Sequence, residues 1–168
     1  MRTVDYSPIF NHVLDMQLSS QPKKHYQINE GSIDLPLQGR IDRTMNVLAL
    51  PDGSGATYII RRDELRPGEA LLQFAERQLA DLAMQVKGYQ VVQQPSLLSP
   101  MAGVSDALEF AGAFTQNDQG IHQRQAALQL AGTSRVLIVT MSGFEPFDSD
   151  AIEAWAKVVR SFQLRDKS

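Results

Sequence analysis

Ile121-His122-Gln123-Arg124-Gln125-Ala126-Ala127-Leu128-Gln129-Leu130 holds neither glycine nor proline and alternates in a way a helix would not use. Read as a strand, it puts Ile121, Gln123, Gln125, Ala127 and Gln129 on one face. His122, Arg124, Ala126, Leu128 and Leu130 then take the other. Turn chemistry bounds it on both sides, with Asn117-Asp118-Gln119-Gly120 before and Gly132-Thr133-Ser134 after. Beyond those turns, Ala107–Thr115 and Arg135–Met141 also read as strands. Links this short cannot carry a parallel crossover, so the three segments are expected to pair antiparallel.

Working outward, further strands are expected over Tyr89–Gln94, Ala56–Arg62, Arg43–Leu50 and Ser32–Leu35. Pro51-Asp52-Gly53-Ser54-Gly55 reads as a tight hairpin turn between two of them. The clearest helix runs from about Pro67 to Lys87. Leu71 or Leu72, Ala75, Leu79, Leu82 and Val86 form its apolar stripe. Pro67 suits its first turn and Gly88 its C-terminal cap. A last helix spans Ser149 to Phe162, with Asp150 and Glu153 at capping-box spacing and Ile152, Trp155, Ala156, Val159 and Phe162 as the stripe. The expected fold is α+β, a single antiparallel β-sheet with helices packed on it. Residues 1–25 read as an N-terminal extension or linker, where Ile9, Phe10, Val13, Leu14 and Leu18 fall at helical spacing. The domain itself is expected over residues 26–164.

The chain has 168 residues, enough for one domain with a real core. Sixteen Lys and Arg against nineteen Asp and Glu give a net charge of -3, without the basic surplus that neutralising nucleic-acid phosphates requires. No cysteine is present, which removes disulfides, thiol nucleophiles and Cys-ligated metals together. No apolar run approaches the roughly 20 residues that cross a bilayer. Met1-Arg2-Thr3-Val4-Asp5-Tyr6 does not open a secretory signal. The sequence therefore reads as soluble, cytoplasmic and not membrane-embedded.

Catalytic and metal signatures are not found. His12, His25 and His122 lie far apart, so no metal is expected. Gly53-Ser54-Gly55 leads into a strand, whereas phosphate-binding glycines lead into a helix N-terminus. Ser142-Gly143 lacks the nucleophile-elbow pentapeptide. The carboxylates at Asp63-Glu64 and at Asp148 and Asp150 read as a solvated loop and as charges at a helix start. No enzyme activity and no cofactor are expected.

Two strand faces point instead to binding. Gln123, Gln125 and Gln129 supply uncharged donors and acceptors on one face, suited to a partner with small polar groups or exposed backbone, or to plain solvent. On Arg43–Leu50, Met45, Val47 and Ala49 share one face while Asn46, Leu48 and Leu50 share the other. Tyr58, Ile59 and Ile60 likewise put apolar groups on both faces. Either helices cover both faces, or one face receives an apolar helix from a partner or a second subunit.

Tyr26-Gln27-Ile28-Asn29-Glu30-Gly31-Ser32 with Leu35-Pro36, then Asp42-Arg43-Thr44-Met45-Asn46-Val47, resembles the opening of the Eag chaperones. Tyr58-Ile59-Ile60-Arg61-Arg62, Leu65-Arg66-Pro67-Gly68-Glu69 and Gln123-Arg124-Gln125-Ala126 resemble the family's later blocks, and the likeness runs from about Tyr26 to Phe162. It implies a DcrB/PsbP-like fold and a small cytosolic homodimer of bacterial type VI secretion, without enzymatic activity. Its partners would be the N-terminal transmembrane helices of a secreted effector, commonly of the Rhs class, and through the effector the spike protein. The partner-binding residues it implies are Met45, Val47, Ala49 and Ile60, with Gln123 and Gln125 as the polar component. A one-residue slip in register would substitute Asn46 and Leu48. The rival readings are a PsbP-like domain binding a lipid or small ligand at the cell envelope, and a hydrolase with a dispersed site. A signal or lipidation sequence would favour the first, and a nucleophile beside a base in a deep pocket the second.

Overall fold

A computed structural model describes residues 25–28, 30–35, 40 and 42–165. The expected apolar segment within residues 1–25 lies outside these, apart from His25. The chain divides into two compact units, residues 1–41 and 42–168. In the first, β1 (His25–Ile28) pairs antiparallel with β2 (Gly31–Asp34), Tyr26 opposite Ile33. β2 therefore belongs to a two-stranded sheet of its own, where the sequence suggested one sheet throughout.

The second unit is built on six strands: β3 (Met45–Leu48), β4 (Thr57–Glu64), β5 (Lys87–Leu97), β6 (Val104–Gln116), β7 (Gln119–Leu130) and β8 (Arg135–Gly143). Their order is β3-β4-β8-β7-β6-β5, and every neighbouring pair is antiparallel. The β6–β7 turn is as tight as expected. Gln116 pairs with Gln119, and Asn117 and Asp118 both take positive φ, 50° and 61°. Two such residues in succession make the mirror-image turn that matches strand twist. The β3–β4 link is longer than a tight hairpin. Gly53 and Gly55 still take left-handed backbone there, and the Asp52 carboxylate accepts hydrogen bonds from the Ser54 N–H and hydroxyl.

Two helices complete the unit, α1 (Leu71–Gln85) and α2 (Ser149–Arg160). They pack on opposite faces of the sheet. Leu71, Phe74, Ala75 and Leu79 of α1 meet Leu108, Phe110, Ala127, Val136 and Ile138. Trp155 and Val159 of α2 meet Ala107, Ala126, Leu128 and Met141. Strand alternation produces this division, because odd positions of β7 face α1 and even ones face α2. A mixed α+β architecture, helices on an antiparallel sheet, is thus what the chain forms.

Helix ends depart from expectation in three places. Pro67 lies upstream of α1, whose N-cap is Ala70. An alanine offers no acceptor, and the Gln73 side chain partly compensates by accepting the Ala70 N–H at 2.9 Å. Gly88 does not cap α1, whose C-cap is Val86; its φ of +66° instead serves the irregular start of β5. At α2 the cap is Asp148, whose carboxylate accepts the Ala151 N–H at 2.8 Å, so Asp150 sits inside the first turn.

Glu69, just ahead of α1, accepts two hydrogen bonds from Arg77 at 2.7 and 2.9 Å and a third from the Arg66 N–H. The Arg77 guanidinium also lies 5.1 Å above the Phe74 ring. Chiefly through Arg77, the Glu69 carboxyl is pulled from its ordinary 4.5 down to about 2. A lowered folded-state pKa contributes stability that is fully present above the unfolded value and lost as pH falls toward the folded one. The melting temperature should therefore drop between about pH 4.5 and 2, and Glu69→Gln should flatten that part of the curve. An identical acid profile in the variant would show that the pair is not linked to folding.

Candidate apolar-helix groove

Cross-strand pairing decides which residues share a face. Met45 pairs with Arg61 and Val47 with Ile59; Ile59 pairs with Thr140, and Thr140 with Gln125. Gln123 pairs with Ser142 on one side and Gly112 on the other. Met45, Val47, Gln123 and Gln125 therefore lie together on the α1 face. Ile60 does not join them. It pairs with Asn46 and Val139 on the α2 face, and its neighbour Ile59 takes the expected place. Ala49 lies just past the end of β3, exposed.

Alpha1 sits mainly over β5, β6 and β7. Neighbouring strands are about 4.8 Å apart and packed helices about 8–10 Å, so a six-stranded sheet has room for two helices side by side. One place is taken by α1. Over β3, β4 and the Thr140 end of β8, no helix of the described residues lies on this face. A groove with a volume of about 400 Å3 runs between α1 and these strands. Met45, Ile59 and Arg61 form its sheet-side wall, and Gln78, Leu79, Asp81, Leu82 and Gln85 its helix-side wall. Phe110, Gln123, Gln125 and Thr140 form the floor. Toward the sheet edge the apolar surface continues, with Met45 59% and Val47 57% exposed.

The floor is polar yet loosely bonded. Gln125 is buried at 6% exposure, and its amide donates to the Gln123 carbonyl at 3.5 Å. Gln123 donates in turn to the Ser142 hydroxyl, also at 3.5 Å. Both bonds are near the outer limit of useful length, and a buried polar group gains most from a shorter one. An occupant carrying small polar groups would find donors and acceptors here that are not committed to strong bonds. Arg61 crosses the groove to donate to Gln78 Oε1 at 2.8 Å.

The sequence did not nominate Arg61, Thr140, Phe110 or the α1 residues. Arg61 shares the face of Ile59 on β4, and alternation counted from the nominated Ile60 would have placed it on the other face. The α1 lining had no readable signal, because which flank of a helix borders a groove depends on its sideways placement. Among the described residues no cluster of His, Asp or Glu is placed to hold a metal ion. No described helix is long and apolar enough to cross a membrane.

The fold resembles that of PA94, a protein of unknown function from Pseudomonas aeruginosa, with a TM-score of 0.66 at 20% identity, covering 86% of this chain and 98% of that one. A looser likeness, TM-score 0.46 at 15% identity over 72% of this chain and 82% of the other, is to LpqN of Mycobacterium tuberculosis, described as involved in cell envelope biogenesis. No curated protein matches the chain. The DcrB family model matches residues 30–161, which spans both the sheet and the groove, and the chain belongs to the DcrB family.

Proposed function

We propose that the protein is a non-enzymatic chaperone that shields an apolar helix of a partner by seating it beside α1. The Eag-like blocks of the sequence name the partner class, the N-terminal transmembrane helices of a type VI effector, commonly Rhs, awaiting loading on the spike protein. They also imply a cytoplasmic homodimer. The observation that carries the reading is the apolar surface of Met45, Val47 and Ile59 on β3 and β4, beside α1 and next to the glutamines Gln123 and Gln125. An apolar helix in water exposes area worth about 25 cal/mol per Å2, so such a surface is a sink for it. The glutamine amides supply the hydrogen bonds that small polar residues on such a helix would otherwise lose, at about 1 kcal/mol each.

Val47→Asp tests this directly. Val47 is exposed, so the substitution should leave melting temperature nearly unchanged. It should abolish co-purification with an effector's N-terminal helices, because a carboxylate would be desolvated against them. A folded variant that still captures those helices at wild-type level would sink the assigned face. Capture of lipid from a bacterial extract by the wild type, with no capture of apolar helices, would favour the lipid-binding rival.

A further inference from the structure

The groove carries a cation with incomplete partners. Arg61 is half-buried on its sheet-side wall, and burial lowers its pKa, with Asp63 opposing from a distance. One of its five N–H donors goes to the neutral Gln78 amide. Among the described residues no carboxylate forms an ion pair with it, although Asp81 lines the opposite wall. On the same face of the sheet Arg77 is held by Glu69, while on the α2 face Arg124 is held by Glu109 and Arg62 donates to the Thr44 carbonyl and the Asn46 amide. A partly desolvated guanidinium facing a groove is stabilised most by a carboxylate, which can engage two of its N–H groups at once.

From this we infer that Arg61 is a specificity residue, and that the docked helix carries an acidic side chain at the level of Arg61. The inference rests on the docking function proposed above and adds the charge of the occupant. The carboxylate would replace solvent on Arg61 while the rest of the helix covers Met45 and Ile59. A helix with lysine at that level would meet like charge in a low-dielectric groove and be rejected.

The test uses the full chain, co-expressed with two soluble carrier proteins that bear the same Leu/Ala helix of about 20 residues at their N-termini. One helix has a central Glu and the other a central Gln, and capture is read as the ratio of the two carriers. Wild type should favour Glu by roughly tenfold, the size expected of one charge-assisted hydrogen-bonded contact. Arg61→Gln should bring the ratio of the two captured carriers to about one. Equal capture by wild type, or a Glu preference that survives Arg61→Gln, overturns this inference alone. If wild type captures neither carrier, the docking function falls and this inference with it.

Discussion

Replacing Trp155 by alanine should cost about 3–5 kcal/mol of stability, a large part of the roughly 5–15 kcal/mol that holds a domain of this size together. Trp155 is fully buried and stands at the centre of the α2 side of the core, against Ala107, Ala126, Leu128 and Met141. Ala107 and Ala126 carry only a methyl group and cannot reach into the space an indole leaves. One detail separates the packing contribution from the polar one. The indole N–H is buried without a hydrogen-bond partner, so the tryptophan carries a desolvation cost together with its packing gain. Trp155→Phe removes that unpaired donor and keeps most of the ring, so it should cost clearly less than Trp155→Ala. Trp155 is the chain's single tryptophan, so circular dichroism in urea is the suitable readout. A loss below about 1 kcal/mol for the alanine variant would mean that α2 is not seated as described. Helix capture by Trp155→Ala should fall only with the folded fraction, since the groove lies on the opposite face of the sheet.

Much of this arrangement was legible in the chain, for a definite reason. Strand alternation and helical spacing are local signals, and β7 carries both faces of the sheet in ten residues. Ala126 and Leu128 turn to α2, while Gln125 and Ala127 turn to the α1 side. Phase errors are the natural failure of the same logic. The Eag resemblance implies Ile60 beside Met45 and Val47, but register alone decides whether Ile59 or Ile60 faces them. The pairing of Val47 with Ile59 settles it. Helix caps failed for another reason. Pro67, Gly88 and Asp150 are each good terminal residues, yet Asp148 reaches the Ala151 N–H first and Gly88 is used by β5.

Lateral position was the part the sequence could not carry. Nothing in the stripe of α1 says that it sits over β5 to β7 and not over the middle of the sheet. Phe74, Ala75 and Leu79 fix which flank of the helix faces inward. They do not fix where along the sheet that flank lands. The groove exists because the helix is displaced toward β5, and Tyr89 of β5 packs against the same cluster.

Gly112→Ala should destabilise the fold by about 1–2 kcal/mol, and Tyr89 is the reason. A Cβ at position 112 would run into the Tyr89 hydroxyl oxygen and lie 2.7 Å from Cζ and 2.8 Å from Cε2. Those distances are far inside contact, so the ring must move. Gly112 does not adopt left-handed backbone, so the requirement for glycine here is space and not conformation. The alanine also restricts the unfolded chain, which returns about 0.4–1 kcal/mol and explains why the net loss is moderate. Tyr89 is not free to swing without cost. Its ring lies 6.4 Å from that of Phe114 and packs against the α1 side of the core. In a Tyr89→Ala background the clash is gone, and Gly112→Ala should become neutral or mildly stabilising. The double-mutant cycle should then show a coupling of about 1 kcal/mol or more, whereas additive effects would sink the proposed contact. Because Gly112 pairs with Gln123, a displaced Tyr89 ring disturbs the groove floor as well. On the proposed function, helix capture should weaken in Gly112→Ala and recover when Tyr89→Ala is added, which would tie a core contact to the proposed docking surface through one cross-strand pair.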